Sequence, residues 1–209
     1  MTIEQETPHP EQPSVCRDGK LRRLLRNREG AAAMEFAILA IPFMIVLFAT
    51  IETFVAFTGE QLLMNATDKM ARKIRTGEIT FQVGKPGYKT NAQFRQAFCD
   101  EISVMMTCSA TETTLPNKLY IDVRPVADLA KFPEAVPRTT TSISSDVKTS
   151  DFKFAPGGPG TTNMMRAFYR WSVFTDLVRP FVSNLRPTGS TMPKGYLMVS
   201  TAIFRTESE

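Results

Sequence analysis

The stretch Arg26-Asn-Arg-Glu-Gly30-Ala31-Ala-Ala-Met-Glu35-Phe36-Ala-Ile-Leu-Ala40-Ile-Pro42-Phe-Met-Ile45-Val-Leu-Phe-Ala-Thr50-Ile51 decides how the rest of the chain reads. A basic block gives way to a glycine, and the glycine to an apolar run with a glutamate five residues on. From Ala31 to Phe57 only Glu35 and Glu52 are charged. A helix needs roughly 20 residues to cross a hydrocarbon core of ~30 Å. The uncharged core, Phe36 to Ile51, supplies about 24 Å at 1.5 Å per residue. Both glutamates then fall near the interfaces, where headgroups or water reach them. The bland alternative is a buried helix of a soluble protein. It needs a large domain around it, and the N-terminal side supplies none.

Flanking charge orients the span. Residues 16–30 hold Arg17, Lys20, Arg22, Arg23, Arg26 and Arg28, against Asp18 and Glu29. The fifteen residues after Phe57 hold only Lys69 and Arg72 as bases. The positive-inside rule places the N-terminus in the cytoplasm and the C-terminal bulk outside. A cleaved secretory signal fits poorly, because the apolar run exceeds the usual h-region and no small-x-small site follows Phe57.

This segment resembles the TadE-like family, pseudopilins of tight-adherence (Flp-type) pilus systems. The matching residues are the Arg-rich flank, Gly30, Ala31-Ala32-Ala33, Glu35-Phe36 and the apolar run with Pro42. The likeness is tight over about residues 22–57 and loose beyond. It implies a prepilin peptidase cutting between Gly30 and Ala31. Glu35 and Phe36 would then serve assembly or recognition, and the long helix would carry a small domain. It also implies a bacterial inner-membrane protein with one span and a periplasmic C-terminal domain. Its partners would be other pilins, pseudopilins and the pilus assembly machinery.

The chain of 209 residues carries a net charge of only +4, with the bases clustered beside the span. A juxtamembrane block facing anionic lipid accounts for that better than nucleic acid does. Residues 1–20 are polar and proline-rich and read as a disordered cytoplasmic tail. The tail holds His9, the only histidine, and Cys16, a reduced thiol in that compartment. Residues 21–76 form the second segment, with the span at about 31–57. Leu63, Ala66, Met70 and Ile74 continue a helical stripe to a stop at Gly77. One helix is expected from about Leu21 to Thr76, kinked near Pro42, which cannot bond the Ile38 carbonyl. Its outer half either packs on the C-terminal domain or lies free as an amphipathic stalk.

Residues 78–209 read as an extracytoplasmic domain. Glu78–Val83 suggests a short strand and Gly84–Gly87 a turn. Asn91 is expected to cap a helix to about Met106, with Phe94, Phe98, Ile102 and Met105 on one face. Cys99 and Cys108, two cysteines in an exported domain, read as a disulfide. Zinc finds no third thiol or histidine there. Lys118–Val126 alternates as a strand that Pro125 confines to an edge or an end. Thr139–Ser150 and Ala155–Gly160 read as a mobile loop, with a short strand near Phe152–Phe154. Met165–Val173 reads as a strand, with a helix competing. A short helix is expected to begin at Thr175–Val178, and Tyr196–Phe204 is the last strand, antiparallel to Met165–Val173. The fold class is α+β, a long N-terminal helix with a small antiparallel sheet.

No P-loop, dinucleotide fingerprint, zinc-protease helix or nucleophile elbow occurs. Asp100 and Glu101 are adjacent, so a helix points them apart. Asn65-Ala-Thr67 matches a glycosylation triplet that is common by chance. The chain is expected to be no enzyme and to carry no cofactor or metal. Two function classes remain. One is a minor pseudopilin or assembly factor. The other is a membrane-anchored binding module that no pilus incorporates.

Overall fold

The computed structural model describes residues 30–128, 132, 135–174, 179, 183–186 and 195–207. The N-terminal tail, the basic block and the helix expected at Thr175–Val178 lie outside these residues. The chain divides into two compact units, split between Ile45 and Val46.

Helix α1 runs from Ala31 to Arg75. In the first unit its side chains face outward, with Phe36 at 74 % exposure and Phe43 at 62 %. Among the described residues nothing packs over this run as a core would, and it is long and apolar enough to cross a membrane. Pro42 lies inside the helix, which continues past it.

The second unit begins at Val46 and includes the rest of α1. Thr50, Thr53 and Thr58 donate their hydroxyls to the carbonyls of Val46, Ala49 and Phe54, one turn back. An apolar helix thereby satisfies its few polar groups internally. At the far end Arg72, Lys73 and Arg75 face the negative pole of the helix. Gly77 takes φ 74°, and its N–H bonds to the Ile74 carbonyl. The stop expected there is the stop observed.

Helix α2, Asn91–Ile102, follows. Its cap is Thr90 rather than Asn91. The Thr90 hydroxyl accepts from Gln93 N–H and the Gln93 side chain accepts from Thr90 N–H, a reciprocal capping box. The helix stops at Ile102 rather than Met106. The Ser103 hydroxyl binds the Asp100 carbonyl, and Met105 and Met106 both donate to the Ile102 carbonyl in a closing turn.

Three strands make one antiparallel sheet in the order β1-β2-β3: β1 Leu119–Pro125, β2 Thr162–Ser172 and β3 Gly195–Arg205. β2 is a strand, not the competing helix, and pairs with β3 as expected. Pro125 ends β1, which lies at an edge. Glu78–Val83 does not form a strand; only Thr80 makes a bridge, to Tyr88. Ile79 N–H is taken by the Lys73 carbonyl at the helix end, and Gln82 closes a turn with Lys85. Too little free backbone remains for a ladder. The strand suggested near Phe152–Phe154 is likewise a single bridge, Val123 to Phe154.

The α1 stripe is buried in one cluster with the sheet. Leu63, Ala66, Met70 and Ile74 pack with Phe94, Phe98 and Ile102 of α2 and with Ile121, Met165, Ala167, Tyr169 and Met198. The outer part of α1 is therefore a packed element and not a free stalk. The opposite sheet face is also covered. Phe168 and Leu197 meet Val147 and Leu185, and Phe152 stacks on Phe168. On that side Arg170 grips both oxygens of Asp146 at 2.6 and 2.7 Å. The fold is α+β, as read from the sequence.

Candidate functional site

Two regions of α1 hold the candidate side chains, and each belongs to a different unit. The first is its start. Gly30 sits in a 3₁₀ turn directly ahead of α1 and is exposed. Its φ is not positive, and a Cβ built on it would meet nothing within 4 Å. Among the described residues nothing demands glycine at position 30, unlike Gly77 or Gly87, whose φ values are 74° and 78°. Glu35 and Phe36 follow on the first turns, both exposed. Among the described residues Glu35 makes no hydrogen bond or ion pair. Among the described residues no other side chain is brought to the Glu35 carboxylate, which is exposed.

The second region is the part of α1 that carries the sheet domain. Glu52, Ala56, Gly59, Glu60 and Leu63 follow one another at helical spacing on one face. The sequence places Glu52 near the end of the span, within reach of headgroups or water; its side chain is packed within the protein, and its Oε1 accepts the Phe174 N–H at 2.6 Å. Two turns on, Gly59 lets the sheet approach; a Cβ there would stand 3.2 Å from Met198 Cε and 3.4 Å from Trp171 Cζ3. Next to it the Tyr196 hydroxyl donates to Glu60 Oε1 at 2.6 Å. Burial and then the Glu60 bond push the Tyr196 phenol up to about 12. Sequence reasoning missed both glutamates as acceptors. Their i, i+8 spacing on the face of the Leu63 stripe was the available signal.

Cys99 and Cys108 form a disulfide with Cα atoms 5.9 Å apart. The chain just beyond is organised by Glu112, buried to 1 % exposure. Its Oε1 accepts from the N–H groups of Asn117, Lys118 and Leu119, and its Oε2 from the N–H and hydroxyl of Ser109. Burial alone raises its pKa, but the Leu119, Asn117, Ser109 and Lys118 donors outweigh that and hold it below the usual carboxylate range. This cluster is an internal anchor for the start of β1. Asp100 and Glu101 diverge as expected: Asp100 accepts from Gln96, and Glu101 pairs with Lys69 and Lys73. Among the described residues no group of histidines, cysteines and carboxylates could hold a metal. Thr67 of the glycosylation triplet is fully buried, its hydroxyl on the Leu63 carbonyl.

Comparison with known families gives one match: residues 30–72 fit the model described as TadE-like protein. The family likeness read from the basic flank, glycine, glutamate and apolar run is thereby recovered independently. The match begins at Gly30 and ends inside the buried stripe of α1, so both sheet and disulfide lie beyond it. No curated protein and no solved structure matches the chain.

Proposed function

We propose that this chain is a membrane-anchored minor pseudopilin, a structural assembly factor of a tight-adherence (Flp-type) pilus, processed by a prepilin peptidase between Gly30 and Ala31. The observation that carries the reading is the coincidence at Gly30. The family match starts there, the fold has no need of glycine there, and an apolar helix long enough to cross a membrane starts at the next residue. The protein spans the bacterial inner membrane once, with its N-terminus in the cytoplasm and its sheet domain in the periplasm. Six bases on residues 16–30 support that orientation. Its work is structural rather than catalytic.

Cleavage removes the basic block and leaves a new α-amino group on Ala31. With the bases gone, lifting the helix from the bilayer costs less. Glu35 then lies about 6 Å of helix rise from that amine. A carboxylate in a low-dielectric setting is costly without a cation. The Ala31 amine of a neighbouring subunit supplies one, and the pairing sets helix register during assembly. Glu35→Gln tests this step in the native host. Normal cleavage with loss of pili is the expected result. Normal cleavage with wild-type pili contradicts charge pairing, and accumulation of precursor assigns Glu35 to peptidase recognition instead.

A further inference from the structure

The apolar surface of α1 and the sheet domain meet at one level. Ile51 ends the uncharged stretch, and Glu52, the next residue, accepts the Phe174 N–H. That 2.6 Å bond fixes the backbone of Phe174 at the height where the span ends. The Phe174 side chain is nevertheless 75 % exposed. Its ring stands edge-on to Trp171, centroids 6.0 Å apart. On α1 itself Phe54 is 72 % and Phe57 58 % exposed, within a turn or two of Glu52. Beside them a cleft of about 220 Å³ opens between α1 and the sheet, lined by Thr53, Ala56, Phe57, Trp171, Val173 and Tyr196. The Trp171 indole N–H is buried and has no hydrogen-bond partner among the described residues.

Exposed phenylalanine rings collected at one height beside a span suit a bilayer interface, where apolar rings bury at the boundary of headgroups and acyl chains. We propose that this end of the sheet is a second membrane contact, with Phe174 seated beside Phe54 and Phe57 in the interface of the outer leaflet. Lipid is the occupant because the Glu52 bond sets the depth of Phe174 from within the chain, before any partner arrives. The sheet domain is then held against the bilayer at two places, the helix and the end of β2. The inference rests on the reading of Phe36–Ile51 as a span.

The chain has one tryptophan, which makes the test direct. The full chain is reconstituted in phosphatidylcholine–phosphatidylglycerol vesicles whose acyl chains carry bromine either near the headgroup or near the terminal methyl. Two double variants report position: Trp171→Phe with Phe174→Trp, and Trp171→Phe with Phe48→Trp as the reporter of the span. Tryptophan at 174 should emit to the blue and lose most of its emission to shallow bromine and little to deep bromine, while tryptophan at 48 should be quenched by deep bromine. Quenching at 48 with water-like, unquenched emission at 174 overturns the contact and leaves this surface to a protein partner. No quenching at 48 overturns the span itself. Should Trp171→Phe not fold, Trp171 of the otherwise unchanged chain is read with and without Phe174→Glu. Relief of shallow quenching by that change supports the contact, and unchanged quenching overturns it.

Discussion

The hydroxyl of Tyr196 donates to Glu60 Oε1 at 2.6 Å, tying the first turn of β3 to the face of α1 that packs on the sheet. A hydrogen bond to a charged acceptor contributes about 1.5–3 kcal/mol when dry, and the partial exposure of both groups argues for the low end. Tyr196→Phe is expected to cost about 1 kcal/mol in urea unfolding of the detergent-solubilised chain. The folded phenol sits at about 12, above the ordinary value of ~10. Stability from this bond is therefore complete below pH ~10 and lost as pH rises toward 12. An alkaline loss of equal size in wild type and Tyr196→Phe would contradict the assignment.

Glu112 predicts the opposite limb. Five donors converge on a carboxylate that is almost wholly buried, and a glutamine amide can satisfy only the half that remains an oxygen. Glu112→Gln is expected to cost about 2–3 kcal/mol at pH 7. Its folded pKa is depressed, so the contribution is present above the unfolded value of ~4.3 and fades as pH falls through the folded one. Thermal unfolding at pH 7 and pH 3 should show the gap between variant and wild type narrowing in acid. A gap unchanged by acid speaks against a charged Glu112.

Cys99 and Cys108 should be recovered as one cross-linked peptide under non-reducing conditions, with Cys16 free. The short loop contributes about 2–3 kcal/mol by restricting the unfolded chain. Cys99→Ser is expected to lower protein abundance, measured by immunoblot of membranes. Undiminished abundance would contradict a structural role for the bond.

Two glycines should behave in opposite ways. Gly59→Leu pushes a side chain toward Met198 and Trp171 and should destabilise by about 1–3 kcal/mol. Gly30→Ala adds a methyl to open space and should leave the melting temperature unchanged while blocking processing. A destabilised Gly30→Ala would show that the fold, not a peptidase, asks for that glycine.

Much of this was legible because periodicity reports burial. The spacing of Leu63, Ala66, Met70 and Ile74 marked the packed face of α1, and alternation marked β1 and β2. The Cys99–Cys108 bond followed from the pairing of two thiols in a domain read as exported. What the sequence hid were choices made by neighbours. Thr90 outranks Asn91 as cap because Gln93 lies three residues on to return the bond, a local signal that was read one residue late. Residues 78–83 have strand composition, but the end of α1 and the turn at Gln82–Lys85 claim their backbone first. Glu52 and Glu60 look like solvent-facing charges until Phe174 and Tyr196 arrive from more than a hundred residues away. The end of α1 is a local event, and Gly77 announced it.

The most direct measurement is mass spectrometry of the intact protein and its N-terminal peptide, taken from membranes of the native host. The account predicts a mature chain that begins at Ala31, and a Gly30→Ala variant that retains residues 1–30. A wild-type chain that keeps its basic block in cells making pili would contradict it and leave the sheet domain as an anchored binding module.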